Sequence, residues 1–450
     1  MSKGIDFYVR EGQKQGLALM KRRKEMRAKK FDTIAVHGIY SMQEALANQG
    51  SLIEPIYTST AQHFEGSDHL EAALAYMIPA WGYTRIANPS IHYLEQTLNL
   101  LESYGLDIET DTVATSSGMS AVFMATNPFL NKEKNSKMNF LASGNCYGGT
   151  FMLFSERYGK EQAIDVRWIK NNLNINEWEN AIDNNTRFIY TEMPSNPGLA
   201  VADLAALAEL AHSHNIPLIV DSTLTSPALM RPLGFGADIV IHSVSKIMNA
   251  SGMSIAGAVI ARHNIVSKHL SDDAKANFAH YIKLLPARDF GPSLSPFSAI
   301  MILNDLRSLR SRAEQMSKTA MQVATWLESQ TNIEAVHYPG LKSNQSHTVA
   351  KKYMKLVDSD EHHYGYLLGF RVKGGIEATR KVFDKFKMIW RATDLGRAKT
   401  VATIPAISTH QQQGEEGREL ASIPANLIRL SLGLEHAQDI IADLEQALDF

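Results

Sequence analysis

The sequence predicts an α/β protein with a mostly parallel central sheet, followed by a smaller C-terminal α+β domain. Two observations carry this. From about Asp111 to Arg262, short apolar runs alternate with helical stretches. Strands that apolar are covered on both faces, as in a parallel sheet flanked by helices. Beyond Pro296 the texture changes to one long helical pattern and two isolated strand candidates. A chain of 450 residues is also too long for one ordinary core, so roughly two or three domains are expected.

The strand candidates come in order. Thr112-Val113-Ala114-Thr115 leads into Ser116-Ser117-Gly118, and an apolar helical stretch follows from Met119 to Met124. Asn139 to Ala142 and Arg187 to Tyr190 are the next two strands. A helix runs from about Asp203, a suitable N-cap, to His214. Ile216 to Asp221, Asp238 to Ile241 and Ile255 to Ile260 complete the set. Ala299 to Gln330 reads as a single helix with Arg307, Arg310 and Arg312 on its polar side, and Tyr364 to Val372 and Leu427 to Leu432 read as strands. The first eighty-odd residues are less regular. Their basic clusters, Lys21 to Lys24 and Arg27 to Lys30, read as a solvated amphipathic helix or a mobile arm, since no signal-peptide apolar core follows them.

Charge excludes some functions. With 45 Lys plus Arg against 47 Asp plus Glu, the net charge of -2 gives no general attraction to nucleic acid or anionic membrane. No apolar run is long enough to span a bilayer. The lone Cys146 rules out an intramolecular disulfide and a cysteine-rich metal site, and fits a reducing compartment; the expected location is the cytoplasm. His362-His363 lacks ligands at zinc-like spacing and reads as a surface turn, so no metal is expected. Gly374-Gly375 reads as a hairpin or loop.

In parallel sheets ligands collect beyond the carboxyl ends of strands, so the polar residues there are the candidates for chemistry. Lys246, in His242-Ser243-Val244-Ser245-Lys246, follows an apolar strand. A lysine amine there can form a Schiff base with a carbonyl cofactor, with hydroxyls of Ser243 and Ser245 suited to phosphate. A lysine that snorkels to solvent fits the pentapeptide equally well. Asp221 can hold a pyridinium nitrogen protonated, although alone it reads as a turn or helix-cap acid. Ser116 to Ser120 places a small-residue turn at a helix N-terminus, a phosphate-binding arrangement that is also an ordinary strand-to-helix turn. Tyr147 can stack on a planar ring or pack in a turn. Glu192 to Pro197 closes a strand with two prolines and projects the Asn196 amide. Arg429, in an apolar strand, suits either a substrate carboxylate or an internal salt bridge.

The order of these features is more specific than any one of them. With Gly82-Tyr83-Thr84-Arg85, Asn88-Pro89, Val220 to Thr223, Ser295-Pro296-Phe297, Ser408-Thr409-His410 and Ile428 to Gly433, they resemble the cystathionine γ-synthase family of Cys/Met-metabolism enzymes. The resemblance runs from about Gly38 to the C-terminus. It implies pyridoxal 5′-phosphate (PLP) and PLP fold type I, the aspartate-aminotransferase-like fold. The implied divisions are an N-terminal arm over 1–87, a PLP-binding domain over 88–298 and a C-terminal domain over 299–450. By resemblance, Lys246 carries PLP as a Schiff base and moves protons, and Asp221, with Thr223 beside it, pairs with the ring nitrogen. Tyr147 stacks on the ring, and Asn196 bonds its phenolic oxygen and borders the substrate. Gly118, Met119, Ser243 and Ser245 hold the phosphate. Tyr83 and Arg85 reach the phosphate in the neighbouring subunit's site, which implies a homodimer or homotetramer with shared active sites, and Tyr83 and Tyr147 are catalytic with Lys246. Arg429 grips the α-carboxylate of an amino-acid substrate.

Within that family, Gly252-Met253-Ser254-Ile255 and Gly396-Arg397-Ala398-Lys399-Thr400 look like the O-acetylhomoserine sulfhydrylase branch. Gly149 stands where the methionine γ-lyase branch usually has Cys. The implied reaction is γ-replacement on an O-acylated homoserine by sulfide or a thiol, a transferase step of methionine biosynthesis and transsulfuration. The alternatives are a β- or γ-lyase acting on cystathionine or methionine, a cystathionine γ-synthase, and a non-catalytic scaffold that keeps the fold. The chain departs from the family pattern at Asp394, usually Ser or Asn, at Ile404-Pro405 and at Ala250-Ser251.

Overall fold

The computed structural model describes residues 3–130 and 137–449. Seven strands form the larger sheet: β1 (Thr110–Thr115), β2 (Asn139–Ser143), β3 (Asp165–Ile169), β4 (Thr186–Glu192), β5 (Leu218–Asp221), β6 (Ile239–His242) and β7 (Gly257–Arg262). Their order is β1-β7-β6-β5-β4-β2-β3. β7 runs antiparallel to both neighbours, and all other pairings are parallel. β1 and β6 therefore point the same way, and the carboxyl ends of β1, β2, β4, β5 and β6 share one edge. Sequence reading missed β3, because this edge strand has an exposed Asp165 and half-buried Val166, Arg167 and Trp168 in place of an apolar run.

A second sheet of five strands comprises β8 (Ile333–His337), β9 (Leu367–Val372), β10 (Trp390–Arg391), β11 (Val401–Thr403) and β12 (Leu427–Ser431). Its order is β10-β11-β12-β9-β8. Only β10 and β11 pair in parallel. Arg429 sits at the centre of this sheet, opposite Gly369 on β9 and Thr403 on β11.

Three expectations require correction. The long helix is two helices, Pro296–Leu306 and Leu309–Glu328. Arg312 is not on a solvated face. It is buried, and its guanidinium donates to the carbonyls of Asp305, where the first helix ends, and of Ile247, next to Lys246. These bonds tie the end of the first helix to the segment that follows Lys246. His363 is also buried, its Nε2 donating to the Glu361 carboxylate at 3.0 Å, while His362 stays exposed. Gly374-Gly375 is the loop that enters the helix Gly375–Lys385, with both glycines at positive φ of 96° and 73°.

The N-terminal basic segment is one helix, Ile5–Arg27. Its arginines and lysines part company. Arg23 bonds Asp111 at 2.6 Å and Gln96 at 2.5 Å, and Arg27 bonds Glu109 at 2.5 Å, whereas Lys21, Lys24, Lys29 and Lys30 are exposed. The helix is therefore tied to the body of the protein through guanidinium forks and not solvated all round. Met26 adds an apolar anchor in the core shared with Leu94 and Leu98 of the helix Pro89–Glu102.

Candidate active site

A cleft of about 360 Å³ opens at the shared carboxyl edge of the larger sheet. It is lined by Gly118, Met119, Tyr147, Asn196, Asp221, Thr223, Ser243, Ser245, Lys246 and Arg429. Ten of the expected site residues thus meet in one place. Tyr83 and Arg85 do not. Tyr83 lies half-exposed in a separate hollow, and Arg85 stacks over its ring at 5.5 Å and bonds the Arg288 carbonyl.

The loop after β1 meets the loop after β6. Ser117 caps the helix Gly118–Thr126, its hydroxyl accepting the Ser120 N–H at 3.1 Å. A Cβ on Gly118 would stand 2.6 Å from Cβ of Ser243, so only glycine allows this approach. The first N–H groups of the helix lie outside its own hydrogen-bond ladder and carry its positive end. Thr223 draws the β5 loop in by accepting the Ser243 N–H at 2.8 Å. The two serines differ. The Ser245 hydroxyl is engaged with Ala256, donating to its carbonyl and accepting from its N–H, both at 3.0 Å. Ser243 has no such tie among the described residues, so its hydroxyl is the one available to an anion.

Lys246 follows at the end of this loop. Its amine donates to Asp394 Oδ1 at 3.2 Å. Burial depresses its pKa, and Asp394 opposes that shift without cancelling it. The Lys246 side chain is 27% exposed and lies in the cleft with an acid partner. Asp394 is itself pulled two ways: burial raises its carboxyl, while Arg397, Lys246 and the Leu395 N–H hold it below the usual carboxylate range. Arg397 donates to Asp394 Oδ2 at 2.5 Å and to the carbonyls of Ser245 and Asn249, both at 2.6 Å.

On the opposite wall, Asp221 accepts the Thr223 N–H at 3.0 Å, and burial raises its pKa. Glu192, its register partner on β4, is pushed well above the usual value by burial and then by Asp221. Glu192 accepts the Tyr147 N–H at 2.6 Å and the Asn196 N–H at 3.3 Å, and so fixes both residues. The Met193–Pro194 and Asn196–Pro197 bonds are cis. Arg429 is buried and has no carboxylate at ion-pair distance among the described residues. It donates to Asn196 Oδ1 at 3.1 Å and to the carbonyls of Thr393 and Asp394 at 2.9 and 3.0 Å, and its Nε has no partner. Burial lowers it to about 10. The salt-bridge alternative for Arg429 therefore fails. Cys146 is buried with its thiol pushed up by burial, as expected of a small core residue.

Sequence reading missed Glu192 and Arg397 as site residues. Glu192 carried the same signal as Asp221, an acid ending an apolar strand. Arg397 pairs with Asp394 three residues before it, but the carbonyls of Ser245 and Asn249 that bring it to the cleft are about 150 residues away in the chain.

The cleft combines a depressed lysine amine, a strand-end acid, a half-exposed aromatic ring and a glycine cradle at a helix N-terminus. These parts fit a planar carbonyl cofactor bearing a phosphate. Fold and cleft together define a PLP-dependent enzyme of fold type I. Residues 32–449 match the family model described as Cys/Met metabolism PLP-dependent enzyme, and the chain belongs to that family. It is 36% identical over 405 residues to the L-methionine gamma-lyase of Fusobacterium nucleatum subsp. polymorphum, covering 89% of this chain and 94% of that one. It is 33% identical over 447 residues to the O-acetyl-L-homoserine sulfhydrylase of Leptospira meyeri, covering 93% and 96%. A solved structure of a putative O-acetylhomoserine (thiol)-lyase from Campylobacter jejuni, which carries a pyridoxyl-lysine phosphate, superimposes with a TM-score of 0.83 at 32% identity, covering 94% of this chain and 100% of that one.

Proposed function

We propose that the protein catalyses γ-replacement on an O-acylated homoserine, in which sulfide or a thiol displaces the acyloxy group to give homocysteine or a thioether. The observation that carries this reading is Arg429: a buried guanidinium, free of any acid partner among the described residues, on the same cleft as Lys246. A site of that kind suits an α-amino acid whose carboxylate reaches Arg429 in fork geometry. The sulfhydrylase relative supports the replacement reading. So does Gly149, where a Cβ would stand 2.6 Å from the Tyr147 ring and 3.1 Å from Met119 Sδ, so that a cysteine there would have to displace the ring.

PLP would be held by Lys246 through its amine, by Asp221 at the ring nitrogen, by Tyr147 and Asn196 at the ring, and by Gly118, Met119 and Ser243 at the phosphate, whereas the Ser245 hydroxyl expected there is engaged with Ala256. When bound it supplies an electron sink for negative charge at the substrate's Cα. Arg429 fixes the α-carboxylate and Asn196 borders it. Burial depresses the pKa of Lys246, which favours its neutral, basic form. Lys246 takes the proton from Cα, a second proton leaves Cβ, and the acyloxy group departs from Cγ as a carboxylate. The sulfur nucleophile gives up its proton and bonds to Cγ, a proton returns to Cβ, and Lys246 returns one to Cα, so that the net release is the carboxylate and the nucleophile's proton. Asp394 gives the lysine's ammonium form a partner between these transfers.

The site is completed in a homodimer or a larger homo-oligomer. Tyr83 and Arg85 lie outside their own chain's cleft with Tyr83 half-exposed, which suits a role in a partner's site. The division into an arm over 1–87, a cofactor domain over 88–298 and a C-terminal domain over 299–450 belongs to the same reading. So does a cytoplasmic location; among the described residues no helix is long and apolar enough to cross a membrane.

A second reading, a γ- or β-lyase, is favoured by the methionine gamma-lyase relative. One assay separates the two. Homocysteine formed from O-acetylhomoserine and sulfide supports replacement. A 2-oxo acid and ammonia without any replacement product contradict it.

A further inference from the structure

A second cavity, of about 510 Å³, is walled by the segments that follow β2, β3 and β4 and by β8 and the loop after it. It shares no lining residue with the cleft that holds Lys246. Its polar groups do not satisfy one another. The Ser143 hydroxyl accepts the Asn145 N–H at 3.2 Å and donates to Asn172 Oδ1 at 2.7 Å. That bond leaves the NH2 end of the Asn172 amide over, and Asn172 Nδ2 is buried with no partner among the described residues. The Asn145 amide is buried too, and its side chain makes no hydrogen bond among the described residues. His337 Nε2 is a further buried atom without a partner. A buried donor with no acceptor costs stability unless something in the cavity supplies one. Lys170 stands on the same wall, exposed and with no acid at ion-pair distance among the described residues. Glu177 accepts the N–H groups of Lys170 and Asn171, and Glu328 accepts the Ser343 hydroxyl, but neither acid lines the cavity. Leu199, Val201 and Val336 give it apolar surface. A cation and free amide donors beside apolar walls suit a small organic anion.

Two chain segments border both hollows. Asn145 lines this cavity, and Tyr147, two residues on, lines the cleft. Pro194 and Asn196 line the cleft, and Gly198 to Val201 line the cavity. Glu192 ties the cleft ends of the two segments together through the N–H groups of Tyr147 and Asn196. We propose that this cavity is a second binding site, for a small carboxylate with an apolar tail, and that its occupancy is transmitted to the cofactor cleft through residues 145–147 and 194–201. A ligand there alters the cleft to the extent that it binds two arrangements of these segments unequally.

The test uses the PLP-loaded protein, with hexanoate as the probe and hexanamide as its uncharged match. Neither carries the α-amino group that would engage the cofactor. Calorimetric titration is expected to show hexanoate binding at least about ten-fold more tightly than hexanamide. Lys170→Gln removes the cation at an exposed position. Asn172→Asp keeps the acceptor for Ser143 and replaces the free donor with a negative charge. Each is expected to weaken hexanoate by about ten-fold or more. Arg429→Met is expected to leave hexanoate binding unchanged, which separates this cavity from the cleft. The visible circular dichroism of the bound PLP is expected to change as hexanoate saturates the wild type, and to stay constant in Lys170→Gln at the same concentrations. Hexanoate that does not bind, or binds no better than hexanamide, overturns the proposal. So does binding that is lost in Arg429→Met and kept in Lys170→Gln and Asn172→Asp. Binding that depends on Lys170 while the PLP signal never moves overturns the coupling.

Discussion

Glu192 and Asp221 stand side by side in register at the ends of the adjacent parallel strands β4 and β5. Two acids brought this close with little access to water cannot both ionise freely. The fold accepts that cost at the edge where its cleft opens. Both line the cleft, and Glu192 also holds the backbone of Tyr147 and Asn196.

A pH dependence of stability follows. Burial and Asp221 hold the Glu192 carboxyl above its ordinary 4.5 in the fold. Above that pH the unfolded chain has released a proton that the folded chain still binds, so this group's contribution to stability is lost as pH rises. Glu192→Gln cannot titrate. Denaturation midpoints of the PLP-free variant, measured from about pH 5 to pH 8, are expected to fall less steeply than those of the wild type. Parallel slopes would mean that the pair does not store a proton.

Arg429 is held by three acceptors and carries a positive charge away from water. Replacing a desolvated charge with an apolar side chain of similar length costs little stability, whereas losing a forked carboxylate contact costs much affinity. Arg429→Met is expected to weaken amino-acid binding by about 100-fold while changing unfolding free energy by less than about 2 kcal/mol. The measurements are a ligand titration and a denaturant melt on the same preparation. A large loss of stability with unchanged affinity would make Arg429 a structural residue.

Tyr83 and Arg85 give a test by subunit mixing. Tyr83→Phe and Lys246→Ala homo-oligomers are each expected to lose most of their activity. Refolded or exchanged together, they regain turnover, because a mixed dimer has one site with both residues intact. Mixtures no more active than their components would place Tyr83 outside the partner's site.

Much of this was legible in the sequence, for a physical reason. Parallel strands buried on both faces must be apolar until they end, so Asp221, Lys246 and the Ser117-Gly118 turn stood out as polar punctuation after Val220, Ile241 and Thr115. Their order then pointed to a cofactor. What stayed hidden depended on contacts distant in the chain. The break that separates Pro296–Leu306 from Leu309–Glu328 is stabilised by Arg312 reaching the Ile247 carbonyl, and helical periodicity runs straight through it. β3 is a half-covered edge without an apolar signal. The N-terminal arginines look solvated until Asp111, Glu109 and Gln96 fold onto them. Asp394 was visible as a departure from the family pattern, but its bond to Lys246 spans nearly 150 residues of chain.

Borohydride reduction of the PLP-loaded protein, followed by digestion and peptide mass analysis, identifies the lysine that carries the cofactor. The expected result is a pyridoxyl-phosphate label on Lys246 alone, and no label in Lys246→Ala. A label on another lysine, or a wild-type protein that takes up no PLP, would contradict it.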